Sequence, residues 1–173
     1  MAKRTFDNLS AKEAQTVLSE FLEDGRANID IVIAHANRAG VRCDYTIESL
    51  EPFLHWARSE MHTLAKNPDV SVPEFIRSTE DYQRGLFDFD DRSKNLLCFS
   101  AYYFGECFVR NFAQLRWAAG NIEYAEANMP VVTGFLHDHE LAPVWVLNNI
   151  FRRIIKQPGR VNDIKFDFCT LGG

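Results

Sequence analysis

The stretch from Arg92 to Phe112 limits the fold more than any other part of the chain. It has no proline, and Leu96, Phe99, Ser100, Tyr103, Phe104, Cys107, Phe108 and Phe112 recur at helical spacing, with Leu97 and Val109 widening the apolar surface. A helix apolar on most of its sides is buried among other elements rather than laid on a surface. Arg92, Lys94, Glu106 and Arg110 interrupt it, so its uncharged run is too short to span a bilayer. The reading is a central core helix.

The neighbouring segments supply what would cover it. Ser10 and Glu13 form a capping-box pattern, and a helix follows from about Ala11 to about Arg38. Gly25 is expected to kink or break it, and Gly40 to end it. Val41 to Tyr45 alternates like a short strand. Glu48 or Ser49 opens a second helix with Pro52 in its first turn, running through Met61 and Leu64 to Asn67-Pro68. Glu74 to about Tyr82 reads as a short helix. After Phe112, the segments Leu115–Trp117, Ile122–Tyr124 and Pro130–Phe135 suggest a small antiparallel sheet of three strands. Pro143 starts a last helix that Pro158-Gly159 ends, and Ile164–Phe168 alternates like an edge strand. The expectation is one α+β domain over residues 1–173, mostly helical, with a small antiparallel sheet packed on the central apolar helix.

Composition excludes some classes. The chain has 173 residues, a formal net charge of −5 and 14 phenylalanines among its apolar residues. That balance lacks the basic footprint of a general nucleic-acid binder, and the rings belong by default to a core. Lys3 and Arg4 have no apolar run behind them, so a secretory signal is not expected. Cys43, Cys98, Cys107 and Cys169 show no CxxC pair, and reduced thiols are expected, two of them packed in the central helix. A cytoplasmic protein needing no cofactor, with no membrane segment, is the resulting expectation.

Candidate chemistry is sparse. His137 and His139, two apart, reach a common metal only from a strand or loop and would need a third ligand. His55 and His62 lie two helical turns apart, too far to share an ion. Glu106 and Arg110 are spaced i, i+4 in the favourable order on an otherwise apolar helix. A structural ion pair is the first reading and a catalytic carboxylate the second. Gly105 beside them suits close approach of another backbone. The densest acidic cluster comprises Glu80, Asp81, Asp88, Asp90 and Asp91, diluted by Arg77, Arg84 and Arg92.

The run Tyr102–Phe112, continuing into Leu115-Arg116-Trp117 and Pro130-Val131-Val132, resembles a pattern of small bacterial proteins that are similar to immunity proteins of polymorphic toxin systems. Asp44-Tyr45 and Glu48-Ser49-Leu50 fit the same pattern, and the likeness spans roughly residues 41–156. It implies a cytoplasmic protein that occludes a cognate toxin domain and supplies no binding residues. The face expected to meet such a partner is Glu80, Asp81, Asp88, Asp90 and Asp91, because a basic toxin cleft would be steered toward acid. The alternative is a small-molecule enzyme with Glu106 or the His137/His139 loop in its site. A third class, a self-associating structural protein, would use the aromatic surplus at a dimer face.

Overall fold

The computed structural model describes residues 6–123 and 127–156, and within them all side chains except those of residues 7, 80, 81, 84 and 153–156. The first helix, α1 (Ala11–Arg38), opens with the expected capping box. Ser10 Oγ accepts the Glu13 N–H, and the Glu13 carboxylate accepts the Ser10 N–H at 2.8 Å. Gly25 does not break α1. Its missing side chain leaves room for the Tyr102 ring, so the helix stays continuous and gains close packing at that point. The cost of a mid-helix glycine, about 1 kcal/mol, is small beside the packing it permits.

Residues 41–45 are not a strand. Asp44 Oδ1 accepts from both the N–H and the hydroxyl of Thr46, at 3.2 and 2.7 Å. Thr46 in turn caps α2 (Ile47–Ser59) by accepting the Ser49 N–H. Because this cap fixes the start at Ile47, Pro52 falls in the second turn rather than the first, where it removes the donor that the Glu48 carbonyl would otherwise receive. The helix stops at Ser59, well before the expected Asn67. Leu64 instead enters β1 (Thr63–Ala65), which pairs antiparallel with β2 (Phe87–Phe89), Leu64 facing Asp88. His55 and His62 therefore do not share a helix.

Between β1 and β2 the chain makes two short helices, α3 (Glu74–Arg77) and α4 (Glu80–Gly85), where one was expected. Asp90 then caps α5 (Asp91–Asn111), its carboxylate accepting the Ser93 N–H at 2.7 Å. The Ser93 hydroxyl accepts the His62 N–H at 2.7 Å, which ties the base of the ribbon to the start of α5. The expected central helix is this element. Leu97, Ala101, Tyr102, Tyr103, Phe104, Cys107 and Phe108 are all buried in it, and α1, α2 and α6 (Pro143–Lys156) pack around it. Of its two cysteines only Cys107 is packed inside; Cys98 faces solvent.

Among the described residues the sheets are two separate two-stranded ribbons, and of the three strands expected after Phe112 the first and third pair with each other. The second ribbon joins β3 (Arg116–Ala119) to β4 (Pro130–Thr133), with Trp117 opposite Val132. Ile122 and Glu123 lie in a turn, and Leu141 bridges to Val132 on the free side of β4. Tyr124 and the candidate edge strand Ile164–Phe168 lie outside the described residues. The architecture is α+β with helices dominant, as expected: antiparallel ribbons set against a core built on α5.

Candidate functional site

The residues that carry the sequence resemblance form one packed unit. Glu106 Oε2 accepts from Arg110 Nε at 2.9 Å, and Glu106 Oε1 accepts from the Trp117 indole N–H at 2.9 Å. The Trp117 ring lies over Gly105, where a Cβ would collide with it, and stacks parallel to Tyr102 at 6.3 Å between centroids. The Arg110 guanidinium lies 3.6 Å above the centre of the Tyr45 ring. Tyr45 itself has φ +62°, an uncommon conformation for a residue with a bulky side chain. Three contacts hold it there: the Arg110 stack, its N–H donated to the Tyr103 hydroxyl, and its carbonyl accepting from Asn111 Nδ2 at 2.7 Å.

Tyr103 completes the unit. Since Ser49 Oγ gives its proton to the Thr46 carbonyl, the Tyr103 hydroxyl is the donor in the 2.7 Å contact with Ser49. Burial pushes the Tyr103 phenol above its ordinary range. Burial likewise pushes the Cys107 thiol up to about 12, so it is a packed apolar group rather than a nucleophile. Both Glu106 oxygens are engaged by groups that fix the fold. The geometry matches the structural ion pair read from the i, i+4 spacing and adds a partner, Trp117, that spacing alone does not reveal.

His137 and His139 lie at a 3₁₀ turn, with His137 at φ +60° and the two rings edge to face, 6.3 Å apart. Among the described residues no group of three or more His, Cys, Asp or Glu side chains is placed to hold a metal ion. His55 lies 3.6 Å from Glu51 on the same helix.

The five acidic residues fall into different roles. Asp88 accepts from Arg152 at 3.0 Å and lies near Lys66 and Lys94, so most of its charge is met within the fold. Burial alone would raise its pKa; the Phe89 N–H and those three cations together hold it below the usual carboxylate value. Asp90 is held low by the Ser93 hydroxyl and N–H, the cap already described. Asp91 projects fully into solvent, with Lys94 at 3.3 Å. The side chains of Glu80 and Asp81 lie outside the described ones.

A larger unit emerges around them. Residues 60–91 hold eight acidic and three basic side chains, a balance of −5 that equals that of the whole chain, so the remainder is neutral. The same segment carries Leu64, Val70, Phe75, Ile76 and Phe87, five of the nine large apolar side chains exposed among the described residues. Val70 is 83 % exposed and Phe75 is 74 % exposed. Among the described side chains, no hydrophobic residue from 62 to 88 belongs to the core or packs against it; Phe89 is where the segment is anchored. The segment is an acidic arm with exposed apolar side chains. The acidic cluster was legible in the sequence; of the apolar residues set among those acids, Phe89 is buried, Leu86 is half-buried and Phe87 is exposed.

Among the described residues no helix is long and apolar enough to cross a membrane. No protein family, curated protein or solved structure matches the chain.

Proposed function

We propose that the chain is an inhibitory binding protein that covers a basic surface of a partner protein with the arm spanning residues 60–91, the toxin-neutralising role that the resemblance implies. One observation carries the reading: the chain's whole net charge and most of its exposed large apolar side chains coincide on a segment that contributes little to the core. Apolar anchors supply affinity at an interface, and a surrounding field of one sign steers a partner of the opposite sign into register. Asp88 and Asp90 serve the arm by shaping it, Asp91 projects into solvent, and Glu80 and Asp81 complete the acidic face proposed from the sequence.

The test begins with the tagged protein recovered from its own cells and the product of the adjacent gene expressed alone. Growth arrest by that product, relieved by co-expression of this chain, is the expected result. Two variants locate the interface: a triple reversal (Glu80→Lys, Asp81→Lys, Asp91→Lys) and a double apolar removal (Val70→Ser, Phe75→Ser). Each should weaken the complex by at least about tenfold, and the charge reversal should also flatten its salt dependence. Undiminished affinity in both variants would reject the arm as the interface. A neighbouring product that neither binds nor harms cells would reject the inhibitory role.

A further inference from the structure

A second surface lies outside the arm's apolar face. Where α1 and α2 converge on the first turns of α5, their side chains leave a groove of about 480 Å³, within the range of small-molecule sites. Val32 from α1, Trp56 from α2, and Leu96 and Phe99 from α5 line it. Trp56, Leu96 and Phe99 are only half-buried, although all three pack against the core on their other side. Two aromatic rings therefore offer an uncovered flank to whatever enters.

The mouth has a defined charge. Two carboxylates, Glu60 and Asp91, and one cation, Arg92, border it. Glu60 meets Arg92 at 3.7 Å, and Asp91 meets Lys94 at 3.3 Å. Both are exposed pairs, which are weak and readily exchanged for another cation. One helix end adds to the same sign. α2 terminates at Ser59, one turn beyond Trp56, so its negative dipole end lies near this side, while Arg38 already meets the corresponding end of α1 by donating to the Ala34 carbonyl. The opposing positive end of α5 is already met by the Asp90 cap. Ring faces, apolar walls and two carboxylates held only by exchangeable exposed pairs together favour a positive charge carried on an apolar body.

We propose that this groove binds a small organic cation, an amine or quaternary ammonium on an aromatic or branched apolar body. The body lies against Trp56 and Phe99, and the cationic head meets Glu60 and Asp91. The site shares Glu60 and Asp91 with the two ends of the arm, and Ile31, on α1, probes it without touching the arm.

Three probes of one shape decide the matter: phenylbutylamine, phenylbutyrate and phenylbutanol, each titrated into the full chain by NMR. The indole N–H of Trp56, assigned with Trp56→Phe, is the reporter. The amine should shift it saturably and bind at least about tenfold tighter than the acid or the alcohol. The double variant Glu60→Gln, Asp91→Asn should remove that preference. Ile31→Lys, a change at an exposed position on the groove wall, should weaken the amine by a similar factor. Equal binding of the three probes would overturn the proposal. So would a Trp56 signal that does not move, or amine binding unchanged in both variants.

Discussion

At Gly105 the Trp117 indole occupies the space that any side chain would need, and the two residues fix how β3 lies on α5. Alanine is the better helix former by about 1 kcal/mol, so propensity alone predicts that Gly105→Ala stabilises. Overpacking against an aromatic ring costs about 1–3 kcal/mol and also threatens the Trp117–Glu106 hydrogen bond, so packing wins. Urea unfolding should therefore show a net loss for Gly105→Ala. Gly85, which has nothing within 4 Å of the place of its Cβ, is the control, and Gly85→Ala should be neutral or slightly stabilising. Part of this was legible in the chain. The Glu106–Arg110 pair follows from its spacing, and Gly105 signals a close approach. That the approaching group is an indole, and that this indole also satisfies Glu106, depends on how β3 folds back, which local spacing does not encode.

Among elements, the helices were legible and the ribbon at β1 was not. α1 and α5 follow from their apolar period, and Ser10 and Glu13 mark where α1 begins. The end of α2 was missed because Thr63–Ala65 is stabilised by pairing with Phe87–Phe89, a partner far along the chain, while its own residues continue the helical pattern. Alongside Ser93 and Phe89, Asp88 fastens that ribbon to the body, through Arg152 of α6 and Lys94 of α5. Its native pKa is lowered, so its stabilisation is present above the unfolded value near 4 and is lost as pH falls through the native value. Asp88→Asn keeps the acceptor for the Phe89 N–H but removes the charge. It should cost on the order of 1 kcal/mol at neutral pH, a modest figure because all three cationic partners are well exposed. Denaturation midpoints of variant and parent, followed from neutral pH into acid, should converge as Asp88 protonates in the parent. A gap that persists unchanged in acid would mean that the side-chain geometry, not the charge, ties the ribbon down.

For the molecule as a whole, the arm meets the helical body through few groups: Phe89, Asp88 and the Ser93–His62 hydrogen bond. Lys66 N–H donates to the Leu86 carbonyl, so the two strands still run side by side where the described pairing ends. A two-residue Asn-Gly turn spans such a pair in the geometry that the twist of a hairpin favours. Replacing residues 67–85 by Asn-Gly therefore closes β1 onto β2 and removes Val70, Phe75 and Ile76, none of which packs against the core. Ser93, Asp88 and Phe89, the groups that anchor the ribbon, all remain. The shortened chain should keep its helical circular dichroism and unfold cooperatively, with little change in midpoint, since it loses no described core contact and loop closure depends only slowly on length. If the arm is the partner-binding surface, the same chain should lose protection against the toxic neighbour while the groove between α1, α2 and α5 still binds its cationic probe. A shortened chain that fails to fold would instead place the arm among the determinants of the fold, and the charge-reversed and apolar-removed variants of the full chain would then decide its role in binding.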